Sequence, residues 1–315
     1  MFGCDDNPVT PPNDCAGVSG GSAVINECDL CVGGTSDVVD LCDADEDGYD
    51  DRDIQVLQDF IDLNESLEGQ NPLDIGTQEW DDNGRLTSLI LANNQLTSLP
   101  EGIGGLSSLG YLRIVGNQLT SLPESIGDLS NLGILWAGDN QLTSLPESFG
   151  KLSNLEWLDL AVNQLIILPE NFSDLSSLAA LYLSYNQLTS LPESIGDLSN
   201  LEDLGISNNQ LISLPESVCD LSILKKLYVN FNLLTSLPEN IDDLSNLEEL
   251  FLYNNQLNNL PESICNLPDE SNINVNINNL CEEYHYDCID SWGPQNQDDC
   301  CEGPEGQENW TDDCD

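Results

Sequence analysis

The residues whose types and spacing could do chemistry lie in the acidic stretch DADEDGYDDRD at 43–53. Acidic side chains alternate along it, and Gly48 falls at the sixth position, as in a calcium-binding loop of about twelve residues. The twelfth position holds Ile54, so we expect Asp53, one residue earlier, to supply the last carboxylate. The predicted ligands of a structural Ca²⁺ ion are Asp43, Asp45, Asp47, the carbonyl of Tyr49, Asp51 and Asp53. A plain acidic linker is the alternative.

The sequence offers little to catalysis. Its single histidine is His285, so a Ser/His/Asp or Cys/His arrangement would have to include this residue. We find no nucleophile elbow, no phosphate-binding loop and no GxGxxG motif. Carboxylates are so numerous that a pair of them marks no site. We therefore predict that the protein is not an enzyme and uses no organic cofactor.

Charge limits the partners of this chain. Its 315 residues carry 57 acidic and 6 basic side chains, which gives a formal net charge of −51. A field of this sign repels nucleic acids and anionic lipids, so neither is expected as a partner. No stretch approaches the roughly 18 apolar residues of a membrane-spanning helix, so we predict no membrane insertion.

Cysteines are concentrated in the two polar flanks of the chain. Disulfides in such core-poor segments predict an oxidising compartment, and so an extracellular or cell-surface location. The first residues, MFGCDDNPVT, contain neither a basic region nor an apolar one, so this chain shows no signal peptide. Zinc at Cys28-x-x-Cys31 is a competing interpretation of one pair. The flanking cysteines are Cys4, Cys15, Cys28, Cys31, Cys42, Cys281, Cys288, Cys300, Cys301 and Cys314.

The middle of the chain is an internal repeat with a period of 23 residues. Eight full units run over 86–269, and a partial ninth unit follows. In the unit LEELFLYNNQLNNLPESICNLPD, the first leucines alternate as in a short strand, and the later apolar residues point inward from the return path. One unit cannot bury these side chains alone, but stacked units can. An asparagine expected to bond the turning backbone recurs at Asn94, Asn117, Asn140, Asn163, Asn186, Asn209, Asn232, Asn255 and Asn278.

This unit resembles the leucine-rich repeat pattern LxxLxLxxNxLxxLPxxIxxLxxL, in its bacterial 23-residue form. The resemblance implies an α/β-type leucine-rich repeat solenoid. In such a fold a curved parallel sheet lines the concave face, the convex face is irregular or 3-10, and both ends are capped. It also favours protein partners. We expect a Cys-rich segment at 1–42, a calcium loop and cap at 43–85, the solenoid at 86–280 and a Cys-rich acidic tail at 281–315.

The flanks carry further resemblances. The stretch DCAGVSGGSAVINECDLC is similar to Cys-rich modules of secreted bacterial proteins, with Ser19 where that pattern has cysteine. The acidic loop resembles dockerin and thrombospondin type 3 loops more than a sensor EF-hand. The segment DIQVLQDFIDL is predicted as a short cap helix, and the region from Trp80 to Arg85 as a hairpin leading into the solenoid. Cys265 is expected to pair into the tail or stay free, and Cys219 to be a free buried thiol.

Variable positions beside the strand leucines should face solvent on the concave side, and nine of the eleven aromatic residues in the repeats occupy them. Only Phe149 and Phe172 take the inward isoleucine position. Such a bias favours a binding face, with cross-strand packing as the alternative. The predicted site residues are Tyr111, Arg113, Trp136, Trp157, Asp159, Tyr182, Tyr185, Tyr228, Phe231, Phe251 and Tyr253.

The leading hypothesis is a secreted or cell-surface recognition module that binds a protein partner through this aromatic face. Two alternatives stay open. One is a structural protein that self-associates into a matrix or filament with calcium. The other is a polysaccharide binder that stacks sugar rings on Trp136, Trp157 and Tyr182.

Two further rows run along the repeats. A glutamate follows each repeat proline, and this row either holds cations or is a solvated edge. A row of threonines suggests an ice-binding surface, and its interruptions at Ile166, Ile212 and Asn258 count against that idea. The row is Thr97, Thr120, Thr143, Thr189 and Thr235.

Overall fold

The computed structural model describes residues 48–296 and the backbone of two short strands before them. These strands, β1 (Val24–Ile25) and β2 (Cys31–Val32), pair antiparallel. The other predictions for the first 47 residues, including Ser19, the zinc alternative and three of the calcium ligands, lie outside the described residues. The same holds for the tail after residue 296.

Ten strands form a single sheet in which chain order equals spatial order. The first pair is antiparallel, and every later pair is parallel. Equivalent leucines of successive repeats are direct neighbours, as Leu158 and Leu181 show. This regular register confirms the predicted solenoid. The strands are β3 (Thr77–Trp80), β4 (Leu86–Ile90), β5 (Tyr111–Arg113), β6 (Ile134–Trp136), β7 (Trp157–Asp159), β8 (Ala180–Tyr182), β9 (Asp203–Gly205), β10 (Lys226–Tyr228), β11 (Glu249–Phe251) and β12 (Asn272–Asn274).

On the convex side a short 3-10 helix follows each repeat proline, and three further 3-10 helices of the described residues lie outside the full repeats. Pro169, with φ −65°, precedes one of them and fixes the backbone where the chain turns away from the sheet. Phe149 and Phe172 take the inward position as predicted, and their rings stack at 6.3 Å. The 3-10 helices are Glu65–Leu67, Pro72–Asp74, Glu101–Gly105, Glu124–Asp128, Glu147–Lys151, Glu170–Asp174, Glu193–Asp197, Glu216–Asp220, Ile241–Asp243, Glu262–Asn266 and Glu282–Tyr284.

The repeat asparagines form a buried ladder between neighbouring units. Asn209 donates from Nδ2 to the carbonyls of Leu183 and Ile206, both at 3.0 Å. Its Oδ1 accepts from the backbone N–H of Leu188 at 3.0 Å. One side chain therefore satisfies backbone groups of two units that the turn would leave unpaired. Asn94, in the first unit, is the exception, because its Nδ2 donates only to its own turn, at the carbonyl of Ala92.

The predicted cap helix is present as α1 (Asp51–Leu63). Leu57 and Phe60 are fully buried against the first repeat, which closes the apolar end of the stack. Asn64, directly after the helix, accepts a hydrogen bond from the backbone N–H of Thr97 at 2.8 Å. The antiparallel pair of β3 and β4 is the predicted hairpin.

The far end is closed by a disulfide and a strand contact. Cys265 pairs with Cys288, so of the two predicted alternatives the bond into the tail is found and the free thiol is not. Asn274 bridges to Ser291 beyond the last strand. Cys281 is disulfide-bonded too. Cys219 is a free buried thiol, which confirms the prediction. Burial and then nearby carboxylates raise its pKa to about 12, so the unreactive protonated form prevails.

Candidate functional site

The concave face is the solvent side of the parallel sheet, and two columns of side chains cover it. Strand pairing fixes both columns, because equivalent positions of neighbouring strands lie side by side. The first strand column is Ser88, Tyr111, Ile134, Trp157, Ala180, Asp203, Lys226, Glu249 and Asn272. The second strand column is Ile90, Arg113, Trp136, Asp159, Tyr182, Gly205, Tyr228, Phe251 and Asn274.

Six predicted site residues form an N-terminal cluster over strands β5 to β8. The rings of Tyr111 and Trp136 meet edge to face at 5.9 Å, and the guanidinium carbon of Arg113 lies 4.8 Å from the Trp136 ring centre. Trp157 and Tyr182 contact each other at 5.4 Å with tilted rings. Cross-strand packing thus accounts for part of the aromatic bias. The cluster is Tyr111, Arg113, Trp136, Trp157, Asp159 and Tyr182.

Asp159 places a carboxylate beside these rings. Its Oδ1 accepts a hydrogen bond from the backbone N–H of Ala161 at 2.9 Å. Burial raises its pKa, and the hydrogen bond and the charge of Arg113 only partly oppose this effect. A half-buried carboxylate of this kind gains from a cation or a donor supplied by a partner.

Four other predicted residues form a C-terminal cluster over strands β10 and β11. Tyr228 lies 5.0 Å from Phe251, and Phe231 lies 5.4 Å from Tyr253. The hydroxyl of Tyr228 donates to Glu249 at 2.6 Å. Burial first, and then this bond and its charge, raise the pKa of Tyr228. The phenol therefore stays a hydrogen-bond donor at physiological pH.

A gap separates the two clusters at Gly205. A Cβ here would lie 3.0 Å from Cδ1 of Tyr182, so glycine lets that ring lie over the sheet. The Tyr182 hydroxyl donates to Asp203 at 3.2 Å, and Lys226 lies 3.8 Å from the same carboxylate. Burial, followed by the Asp203 charge, raises the pKa of Tyr182 to about 12.

The rim column comprises the residues directly before the asparagine ladder. All its non-glycine members have φ between 52° and 58°, the left-handed region. Gly116 relieves the strain in one repeat, but four others place apolar side chains there, at a cost of roughly 1–2 kcal/mol each. These are also exposed: Val162 by 47%, Tyr185 by 60%, Phe231 by 45% and Ile277 by 50%. The rim column is Asn93, Gly116, Asp139, Val162, Tyr185, Asn208, Phe231, Asn254 and Ile277.

The structure thus places the eleven predicted site residues on one face and its rim, in two clusters and the separate Tyr185. Sequence reasoning missed the strain of the rim column and the gap at Gly205. A usable signal existed for the rim, because Asn, Asp or Gly, the residues that best tolerate positive φ, occupy five of its nine positions.

The predicted calcium site needs one correction, at Asp53. Both of its carboxylate oxygens accept from the Arg85 guanidinium at 2.9 Å, and one also accepts from the backbone N–H of Leu86 at 2.8 Å. A cation already occupies this carboxylate, so Asp53 fastens the cap helix to the hairpin and does not fit the metal-ligand role predicted for it. Residues 48–296 contain no cluster of acidic, histidine or cysteine side chains suited to a metal. The role of the other five ligands stays a prediction.

Two of those five ligands are described. The ring of Tyr49 packs on Trp80 at 4.8 Å, and Asp51 opens the cap helix. The neighbouring Asp50 caps that helix by accepting from the backbone N–H of Arg52. Burial acts to raise the pKa of Asp50, but hydrogen bonds from Arg52 and the charges of both arginines hold it below its ordinary value. The segment entering the helix therefore carries an ionised carboxylate.

Parallel strands at a constant 23-residue step, a buried asparagine ladder and an open sheet face define a repeat-solenoid protein. The family described as "Leucine-rich repeat region" matches residues 77–181 and 162–293. The chain therefore belongs to the leucine-rich repeat family. A comparison with curated proteins finds no match.

Solved structures extend this assignment. A leucine-rich repeat protein of Leptospira interrogans is 32% identical with a TM-score of 0.60, over 72% of this chain and 64% of that one. The ectodomain of the Arabidopsis thaliana receptor kinase GASSHO1/SCHENGEN3, in complex with CASPARIAN STRIP INTEGRITY FACTOR 2, is 25% identical with a TM-score of 0.59, over 73% of this chain and 32% of that one. This chain thus spans less than two thirds of either neighbour.

A third similar structure is a plant ice-binding protein. It is 25% identical with a TM-score of 0.57, and the match covers 74% of this chain and 88% of that one. Among the residues that the structure describes here, no helix is long and apolar enough to cross a membrane.

Proposed function

We propose that the protein is an extracellular or cell-surface recognition module that binds a protein or peptide on the concave face and its rim. The single observation that carries this proposal is the rim column. There the chain holds large apolar side chains in an unfavourable backbone conformation and exposes them to solvent. Folding gains nothing from such an arrangement, whereas a partner would bury it.

Tyr185 separates binding from sheet packing. Cross-strand contact explains the paired rings of the two clusters, but Tyr185 makes no ring contact within residues 48–296 and is 60% exposed. Its φ of 58° adds strain. A rigid, amphipathic tyrosine of this kind is typical of residues that dominate protein interfaces.

Ring geometry favours a peptide over a polysaccharide. Sugar rings need exposed, flat aromatic faces, but the Tyr111 and Trp136 planes are inclined by 64°, and Arg113 covers one face of Trp136. Trp157 and Tyr182 are also inclined, by 43°. The clusters therefore present ring edges and grooves that suit the side chains of a peptide. The similar receptor ectodomain of Arabidopsis thaliana was solved in complex with CASPARIAN STRIP INTEGRITY FACTOR 2.

The test is selection of peptide binders from a displayed octapeptide library on the purified chain. Recovered peptides are then titrated calorimetrically against the unmutated chain, Trp157→Ala and Tyr185→Asn. We expect each substitution to weaken binding by about tenfold or more, as interface anchors do. Ile212→Asn is the matched control, because this residue is equally exposed but lies outside the face. Peptides that bind all four proteins equally would refute a site on this face.

Self-association in a calcium-dependent matrix is the opposing account. Light scattering of the purified chain with and without Ca²⁺ separates the two. The recognition proposal expects a monomer in both conditions, and calcium-dependent growth that Trp157→Ala abolishes would assign the face to assembly instead.

A second candidate function, ice binding, is favoured by the threonine row. The backbone there forms a second parallel ladder, for example from the N–H of Gln141 to the carbonyl of Leu119 at 2.9 Å. Ile166 and Ile212 continue the row better than the sequence suggested, because isoleucine keeps the γ-methyl of threonine. The similar plant ice-binding protein supports this candidate. Loss of thermal hysteresis in Thr143→Tyr, but not in Trp157→Ala, would establish it; no hysteresis in the unmutated chain would dismiss it.

We also propose a structural Ca²⁺ at Asp43, Asp45, Asp47, Asp51 and the carbonyl of Tyr49, now without Asp53. The support is the spacing of these oxygens along the sequence, which ends at Asp51, the first residue of the cap helix. The ion would hold the loop against the capped end of the solenoid.

A further inference from the structure

Arg113 stands apart from the other cations of this chain. Of the six lysines and arginines, five have a carboxylate within 4.0 Å, and Arg113 has none among the described residues. The five pairs are Arg52–Asp50 at 2.8 Å, Arg85–Asp53 at 2.9 Å, Lys151–Asp128 at 3.4 Å, Lys225–Glu202 at 2.7 Å and Lys226–Asp203 at 3.8 Å.

The absence of a partner is notable because acids outnumber bases 57 to 6. The neighbours of Arg113 in the second strand column are Ile90 and Trp136, neither of which is acidic. Asp159 lies two strands away and acts on Arg113 only as a distant charge. Within residues 48–296, the site therefore holds a guanidinium without a direct counter-ion.

Trp136 positions this guanidinium by stacking beneath it at 4.8 Å. Two N–H groups here, Nε of Arg113 and Nε1 of Trp136, are shielded from solvent and have no acceptor in residues 48–296. Both can only donate. A preorganised cation with unused donors beside it is suited to an incoming acceptor of negative charge.

We infer that Arg113 is the anchor for one carboxylate of the bound peptide, either an acidic side chain or a free C-terminus. This inference rests on the proposed function and adds the chemistry of the ligand. The remainder of the face limits that ligand. Asp159 and Asp203 carry negative charge along the same columns, so a segment with several acids would be repelled. We therefore expect a single acid, followed by apolar residues over Trp157 and Tyr182.

The experiment uses the octapeptides selected above, resynthesised in matched forms. One form keeps the acid, one replaces Asp or Glu by Asn or Gln, and one carries an amidated C-terminus. Each is titrated against the full chain and its Arg113→Gln, Arg113→Lys and Lys225→Gln variants. Arg113→Gln keeps the Cβ and Cγ groups and a polar end at a half-buried position, so the fold should persist. Circular dichroism and the unfolding midpoint verify this.

We expect Arg113→Gln to weaken the acidic form about 30-fold or more, as loss of one partner of a hydrogen-bonded interface pair does. The neutral form should bind both proteins equally weakly. Arg113→Lys should recover only part of the affinity, because lysine lacks the planar fork. Lys225→Gln, a paired cation near the same face, should change little. Whichever neutral form loses affinity, side-chain amide or amidated terminus, identifies the source of the carboxylate.

A spectroscopic measurement keeps the test independent of affinity. The chain has only three arginines, so their Nε–H signals can be resolved by nitrogen-15 NMR. The acidic peptide should shift the Arg113 signal and leave Arg52 and Arg85 unmoved. Equal binding to Arg113→Gln with dependence on Trp157 and Tyr185 would overturn this inference but keep the proposed function. Peptide binding that does not depend on Arg113, Trp157 or Tyr185 would overturn both the inference and the proposed function. Binding of oligogalacturonate, an acidic polysaccharide, at Arg113 would overturn the assignment of the ligand as a peptide.

Discussion

Two adjacent positions in each repeat, the ladder asparagine and the rim residue before it, differ in both burial and sequence variation. The ladder position is asparagine in all nine units, and after the first unit its side chain bonds the backbone of two units, as Asn186 does with three hydrogen bonds. The residue directly before it, in the rim column, changes from repeat to repeat and points to solvent. Tyr185 and Asn186 are therefore neighbours in sequence, but only the second stabilises the fold.

The difference separates positions that the fold requires from positions that are free to carry the proposed binding. Asparagine suits the ladder because one short amide side chain both donates to carbonyls and accepts from an N–H of the neighbouring unit. The rim column tolerates any residue at some cost in strain, and the chain uses that freedom for Val, Tyr, Phe and Ile. Conformational cost without a structural return is the mark of a binding position.

The largest expected loss of stability follows from substitution of an asparagine in the buried ladder. Asn209→Ala removes four hydrogen bonds and leaves the buried backbone N–H of Leu188 without a partner. The carbonyls of Leu183 and Ile206 each keep one bond, donated by the neighbouring ladder asparagines. We expect a loss of about 3 kcal/mol or more in the free energy of unfolding, measured by urea denaturation. Gln210→Ala, an exposed neighbour, should stay within about 0.5 kcal/mol. Similar small losses for both would remove the distinction between ladder and surface.

The cap tests whether stability also comes from outside the repeats. Removal of Ca²⁺ with EDTA should lower the unfolding temperature by about several degrees, since a ligand bound to the folded state at 100 times its Kd contributes about 2.7 kcal/mol. Asp47→Asn should abolish this shift in unfolding temperature. Asp53→Asn should destabilise the cap but leave the EDTA-induced shift in place. A midpoint that ignores EDTA would eliminate the calcium loop.

A substitution that relieves backbone strain in the rim column should raise the free energy of unfolding. Val162→Asn replaces a β-branched residue at φ 58° with one that tolerates this conformation. We expect a gain of about 1 kcal/mol in the free energy of unfolding. Ile212→Asn removes a similarly exposed side chain without positive φ and should give no gain. If Val162→Asn lowers stability, the rim column is not strained.

The smallest effect concerns alkaline pH. The pKa of Tyr182 rises from 10.0 to about 12, so the folded state holds this proton more tightly than the unfolded state. Its contribution to stability is complete below pH 10 and declines as pH rises through 12. Carbon-13 NMR of labelled tyrosine would follow it. Asp203→Asn should lower the Tyr182 pKa, although burial, the main cause, remains; an unchanged value would remove Asp203 from the network.

Most of the fold followed from the sequence. Spacing together with the leucine-rich repeat resemblance predicts the solenoid, and the apolar pattern of DIQVLQDFIDL predicts the cap helix. A bond from Cys265 into the tail is one of two alternatives that the sequence leaves open. Ion pairs could not be predicted, because they depend on how elements dock, whereas the positive φ of the rim column left a signal in its Asn, Asp and Gly residues. Asp53 shows this, since its spacing fits a metal ligand but the docked hairpin brings Arg85 to it. Arg113 likewise became informative only once the other cations were seen to be paired.

The most direct test of the account measures stability and binding on the same variant, Tyr185→Asn. The substitution relieves positive φ and removes an exposed ring that has no ring contact among the described residues. The account predicts a higher unfolding midpoint together with about a tenfold or greater loss of affinity for a selected peptide. A lower midpoint, or unchanged affinity, would contradict the claim that this chain accepts strain at its rim in order to bind a partner.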